Sequence, residues 1–144
     1  MPIELIPLCK AEAVLAPPMP VRDPYGSTLL IFEVESISVE GERIRAELAG
    51  QASADWMRLS PDMIGTLDVR VTLKTHDGAL IYGEYRGRVN TVEGDPDVSA
   101  VVFAAPLFST SDARYEWLNR IQVIAKGLVS ADSRRLNYEM YEVR

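Results

Sequence analysis

The side chains best able to do chemistry are carboxylates, guanidinium groups and aromatics: Asp55 beside Trp56, then Asp68, Arg70, Tyr82 and Glu84, then Tyr115, Trp117 and Asn119. A carboxyl partly desolvated by a neighbouring indole holds its proton more tightly and can act as acid or base. That is the chemistry expected of Asp55, in a loop before a strand; its structural alternative is a turn residue that accepts local N–H groups. Arg70 presents a fixed fork of donors to a carboxylate or enolate oxygen, with Asp68 and Glu84 to orient it. Its alternative is one half of an exterior ion pair. Trp56, Tyr115 and Trp117 can wall a flat or hydrophobic ligand, or simply pack. Asn119 can donate to a ligand or fix the local backbone. In the catalytic reading Asp55 moves a proton while Arg70 and Tyr82 stabilise developing negative charge.

Other chemistries are not expected. With one histidine and one cysteine there is no zinc or iron ligand set, and no spaced carboxylate motif suggests Mg²⁺ or Ca²⁺, so no metal is predicted. No phosphate-cradling glycine loop, dinucleotide fingerprint or G-x-S-x-G elbow occurs, and no cofactor is predicted. The formal charge of −6 and the scattered basic residues argue against a nucleic-acid partner. The longest apolar stretch, Val98 to Phe108, is broken by Ser99 and Pro106 and is too short for a membrane span of about 20 residues. MPIELIPLCK lacks a basic leader followed by an apolar run, and Cys9 has no internal disulfide partner; both fit a cytoplasmic setting.

The elements that must position these residues are strands. At 144 residues, 47% hydrophobic and 25% charged, the chain is expected to form one domain, residues 1–144. Segments of β character bounded by Gly, Asp, Asn or Pro recur, which predicts an all-β, single antiparallel β-barrel of about eight strands. The expected strands are Ile3 to Leu15, Thr28 to Ser38, Arg43 to Ala49, Gly65 to Thr75, Ala79 to Val89, Ser99 to Phe108, Ile121 to Leu128 and Leu136 to Glu142. Residues 16–27 hold four prolines, which exclude a central strand and predict an extended arm. A short helical turn is expected near residues 111–119, where Ser109, Thr110, Ser111 or Asp112 can cap it.

The segment Gly65 to Val89 is a hairpin whose register can be derived. A two-residue loop at Asp77-Gly78 would set Val71 against Glu84 and Val69 against Arg86, mixing charge into an apolar face. A three-residue loop, His76-Asp77-Gly78 with Gly78 left-handed, pairs Val71 with Gly83, Val69 with Tyr85 and Leu73 with Ile81. The other face then pairs Asp68 with Arg86, Arg70 with Glu84 and Thr72 with Tyr82. This second register is predicted, since a one-residue slip exchanges the faces. It puts Tyr82 with Arg70, Tyr85 in the core, and His76 at a solvated tip. The polar face either lies outside or turns inward to line a pocket, as barrels of about eight strands can hold one small ligand.

The run Ala54-Asp55-Trp56, Leu67-Asp68-Val69-Arg70, Thr75-His76-Asp77-Gly78-Ala79-Leu80-Ile81-Tyr82 and Gly87 resembles the family known as domain of unknown function 3237. So does a second block, Pro106, Phe108, Thr110, Asp112 and Tyr115-Glu116-Trp117-Leu118-Asn119, before a strand ending at Gly127. The match runs from about Gly41 to the C-terminus. It implies an antiparallel barrel similar to allene oxide cyclase and lipocalin-like barrels, a cytoplasmic bacterial setting and a homo-oligomer, and it tips the expectation toward a polar face that lines the pocket. Two departures stand out: Phe103 and Ala104 replace the family's usual arginine and threonine, and Gln51-Ala52-Ser53 replaces a glycine-rich lead.

The function expected on these grounds is small-molecule binding in a barrel, with a hydrophobic or aromatic ligand as partner. One form is a cofactor-independent isomerase, cyclase or lyase. The alternatives are a non-catalytic ligand-binding module and an oligomeric assembly protein.

Overall fold

The computed structural model describes all residues, 1–144. Eleven strands lie in one antiparallel sheet that closes on itself: β1 (Leu5–Leu15), β2 (Met19–Arg22), β3 (Thr28–Glu40), β4 (Arg45–Leu48), β5 (Ala54–Leu59), β6 (Gly65–Thr75), β7 (Leu80–Thr91), β8 (Val98–Ala104), β9 (Leu107–Ser109), β10 (Gln122–Ser130) and β11 (Arg135–Val143). Eight staves make the barrel, with β4 and β5 sharing the stave between β3 and β6. Closure comes from β1, which pairs with β3 on one side and β11 on the other.

The hairpin of β6 and β7 has the three-residue loop His76-Asp77-Gly78, and Gly78 takes a positive φ of 93°. Its register pairs Asp68 with Arg86, Arg70 with Glu84, Val69 with Tyr85 and Leu73 with Ile81, as the side-chain pattern predicts. Leu67, Val69, Val71 and Leu73 are all buried, so the apolar face of the hairpin is the barrel interior. The expectation of an inward polar face is corrected: the apolar face gains by leaving water, whereas four charged groups turned inward would lose their hydration.

Three further elements depart from expectation: the predicted strand Ser99 to Phe108 breaks at Ala105-Pro106 into β8 and β9, and two strands lie where none was expected. Residues 54–59 form a strand that carries Asp55, where a loop was expected. The Pro-rich arm also contains one, β2, which pairs only with β3; Pro20 sits on this sheet edge, where its missing N–H costs no ladder bond. The predicted helical turn is a 3₁₀ helix, Ala113–Arg120, capped by the Asp112 carboxylate, which accepts from the Arg114 N–H at 3.0 Å. It closes one end of the barrel. Leu118 is 1% exposed there, and Ile81, Val102 and Val123 complete the most buried part of the core.

Candidate functional site

A bulge decides which residues reach the interior. Between Leu48, paired with Leu73, and Ala54, paired with Arg70, residues 49–53 stand opposite only Val71 and Thr72. The loop-out needs Gly50 at φ 65° and is pinned by the Ser53 hydroxyl, which accepts the Thr72 N–H at 3.2 Å. The mismatch is odd, so side-chain parity inverts across it. Ala46 packs on the core before the bulge, and Asp55, Met57 and Leu59 line the interior after it, while Trp56 turns out.

Asp55 sits on an inward rung: it pairs with Val69, and Val69 pairs with Tyr85. Its Oδ1 accepts the Asp68 N–H at 3.0 Å. Burial pushes the Asp55 carboxyl up to about 7, against the pull of that N–H and with some help from the Asp68 carboxylate. Tyr138, from β11, packs edge-on against Tyr85 with ring centroids 6.0 Å apart and planes at 89°. Gly127 on β10 permits this, because a Cβ there would fall 2.7 Å from the Tyr138 ring. Burial raises both phenols well above the ordinary tyrosine range, and the Asp55 charge adds to it. The two hydroxyls are close enough to perturb one another, Tyr138 acting as the donor side, but they do not meet in hydrogen-bond geometry and the buried Tyr138 hydroxyl has no other partner.

This polar layer separates two lobes. The lobe on the plugged side, about 50 Å³, is lined by aliphatic and aromatic residues, Tyr85 and Tyr138 among them, and by Cys9, whose thiol burial pushes up to about 12, an unreactive value. The other lobe is a cavity of about 310 Å³, at the lower end of the range for small-molecule sites. Its walls include Leu30, Phe32, Met57, Leu67 and Val102; Asp55 is its one ionisable group, and Pro18, Met63 and Ser133 stand at the opposite end from the plug. No lysine, arginine or histidine lines either lobe.

The remaining residues singled out from the sequence are placed elsewhere. Arg70 is exposed on the outer face, its guanidinium carbon 5.4 Å from the centre of the Trp56 ring. Tyr82 is 39% exposed and donates to Glu84 at 3.2 Å. Asp68 is 3.9 Å from Arg86 across the same outer face. Arg70, Tyr82, Trp56, Asp68 and Glu84 are thus brought together, but the strand wall divides them from Asp55. Asp68, Arg70 and Glu84 line an open groove of about 420 Å³ on the outside of the barrel; an interior pocket shared with Asp55 is not formed, because Asp55 pairs with Val69 and not with Arg70.

Tyr115, Trp117 and Asn119 build the plug. The Tyr115 hydroxyl donates to Asp77 at 2.8 Å, tying the 3₁₀ helix to the hairpin tip. Hydrogen bonds from Thr75 and Tyr115, with Arg114 nearby, hold the Asp77 carboxyl below its ordinary range. Arg43 lies 3.8 Å from the centre of the Trp117 ring and bonds Glu142 at 2.6 Å; Glu142 also binds Arg144 at 2.8 Å. Asn119 makes two bonds with the backbone of Thr110. Each has a structural partner within the chain. Phe103 faces outward and Ala104 inward, so of the two family departures only the second borders the interior. Sequence reasoning missed Tyr138 as a functional candidate and took Tyr85 as core; the signal was a tyrosine on the inward Leu136, Tyr138, Met140 stripe of an otherwise apolar face.

With this geometry in place, comparisons locate the chain among known proteins. The family model described as protein of unknown function, DUF3237, matches residues 3–143. No curated protein matches. Among solved structures, a conserved protein of unknown function from Rhodopseudomonas palustris superposes with a TM-score of 0.89 at 18% identity, over 100% of this chain and 99% of its own. A β-barrel-like protein from Acinetobacter baumannii gives 0.87 at 25% identity, over 100% and 98%. An enzyme from Penicillium herquei gives 0.74 at 19% identity, over 99% and 96%. These likenesses establish the barrel fold.

Proposed function

We propose that this chain, which belongs to the DUF3237 family of proteins of unknown function, binds a hydrophobic small molecule inside its barrel and acts on it as a cofactor-independent isomerase, cyclase or lyase. The observation that carries this reading is one carboxyl, with a proton affinity near 7, standing in an apolar cavity of about 310 Å³. A group poised near neutrality is present in both protonation states, so it can take a proton from one atom of a bound molecule and return it to another. Such a transfer leaves the oxidation level unchanged and needs no cofactor. The apolar walls supply binding and orientation, and exclude the water that would compete for the proton. One neighbour of the same fold is an enzyme, which is in keeping with the reading but carries no residue over.

In this reading Arg70 and Tyr82, on the outer face, take no part in the chemistry. The test is a native mass spectrum of protein purified from its own host, which supplies the mass of a co-purifying ligand, followed by turnover assays on that compound. Asp55→Asn should bind it within about threefold of the native affinity and lose at least a hundredfold in rate, whereas Arg70→Met should change neither by more than about twofold. Binding without turnover by the native protein supports a ligand-binding module instead, and loss of turnover in Arg70→Met with retention in Asp55→Asn overturns the assignment.

A further inference from the structure

Asp55, Tyr85 and Tyr138 face the interior in one layer, and one of them lacks a well-aligned hydrogen-bond partner. The Tyr138 hydroxyl is buried, in a residue 4% exposed; the Tyr85 hydroxyl is close enough to perturb it, yet the two do not meet in hydrogen-bond geometry. A hydroxyl held that way costs about 1–3 kcal/mol, and such groups are few in folded proteins. The ring is nevertheless held firmly: Tyr85 meets it edge-on at 6.0 Å, and Gly127 is the residue that lets β10 pass under it. A donor held in place without a well-aligned partner, lining the small apolar lobe beyond the layer of Asp55, is preorganised for an acceptor that reaches in from the larger cavity.

The charge pattern narrows what that acceptor can belong to. No lysine, arginine or histidine faces either lobe, and the carboxyl of Asp55 occupies the same layer. A carboxylate or phosphate would enter with no counter-charge to replace its water, at a cost of several kcal/mol. A neutral oxygen would lose less and would gain the phenolic hydrogen bond.

Resting on the reading of the barrel interior as a ligand site, we propose that it selects a neutral, mainly apolar molecule bearing a carbonyl or hydroxyl oxygen, and that Tyr138 is the residue that receives this oxygen. Tyr138 is a specificity residue here and Asp55 the group that moves the proton. The placement puts the oxygen toward the plugged end of the barrel and the hydrocarbon frame toward the mouth, among Leu30, Phe32, Met57 and Val129.

The experiment uses three probes of one shape, naphthalene, 2-naphthol and 2-naphthoate, titrated calorimetrically at pH 6 into the full-length protein and its Tyr138→Phe variant. The native protein should bind 2-naphthol about tenfold more tightly than naphthalene, the worth of roughly one hydrogen bond, and should bind 2-naphthoate more weakly than either. Tyr138→Phe should bring 2-naphthol within twofold of naphthalene while leaving naphthalene unchanged, which also confirms that the variant is folded. Naphthalene binding with no margin for 2-naphthol, a margin that survives in Tyr138→Phe, or preference for 2-naphthoate overturns the oxygen-recognition proposal and leaves the cavity reading standing. Failure of all three probes to bind the native protein overturns both.

Discussion

Asp55 is an aspartate held where its charge is disfavoured, and its energetics make this visible without any ligand. Its carboxyl rises from an ordinary value near 3.8 to about 7 on folding, chiefly through burial. Below about pH 4 the group is protonated in both folded and unfolded chains and contributes no pH dependence. Between about 4 and 7 the unfolded chain gives up its proton and the folded chain keeps it, so stability falls as pH rises; above about 7 the penalty is constant. At 1.36 kcal/mol per unit the ceiling is about 4 kcal/mol, and relaxation around the site is expected to leave about 1–3. Urea unfolding of the native protein and Asp55→Asn at pH 4 and pH 8 should show the variant gaining, relative to the native protein, by about that amount between the two. A difference that does not move with pH removes the basis for Asp55 as a poised acid. The exterior quartet of Asp68, Arg70, Glu84 and Arg86 works at a different level: such exposed pairs contribute about 0 to 1 kcal/mol each.

Among the elements, β10 and the bulge in the β4–β5 stave do most to shape the site. Gly127 is the position at which two strands and an aromatic ring compete for one space. In Gly127→Ala the new methyl would lie 2.7 and 2.8 Å from two ring carbons of Tyr138 and 3.0 Å from Leu136, so the ring must move. A loss of about 1–3 kcal/mol is expected, read as a lower midpoint in urea, together with loss of the edge-on Tyr85 contact, read from the near-ultraviolet circular dichroism. Unaltered stability would mean that β10 yields more easily than its close pairing with β11 implies. The bulge acts through parity, since it sets Asp55 in and Trp56 out on a strand where plain alternation from Leu48 would do the reverse. The 3₁₀ helix acts as a stopper, and its family-like tyrosine, tryptophan and asparagine serve its anchoring through Asp77, Arg43 and Thr110.

The whole molecule is a closed sheet with one plugged end, and its closure joins distant parts of the chain. Leu5 pairs with Val143 and Val14 with Arg135, so the last seam zips residues near one end of the sequence to residues near the other. Such contacts are entropically late, and folding is expected on the millisecond-to-second scale seen for all-β domains rich in non-local pairs. Stopped-flow refolding checks this, and a microsecond phase carrying the full amplitude would be incompatible with the topology. Closure also leaves few free strand edges, which limits edge-to-edge association. No helix is long and apolar enough to cross a membrane.

What could be read from the residues alone was whatever depends on near neighbours. Alternation and turn chemistry gave the barrel class, and the pairing of Val, Leu and Ile across a left-handed Gly78 gave the β6–β7 register rung by rung. Asp55 could be recognised as chemically capable because it precedes a tryptophan, although that tryptophan proved to face away and the burial came from the barrel. The rest was decided at long range. Which face of the hairpin is interior depends on the other six staves; the partners of Asp55 depend on a five-residue bulge whose parity no local pattern reports. The unpaired hydroxyl of Tyr138 exists only because β11 and β7, far apart in sequence, are brought across the barrel from one another. Local sequence determined the strands and their chemistry, and closure of the sheet determined which of those groups share a cavity, because side-chain direction alternates along a strand while proximity across a barrel is set by the sum of all its registers.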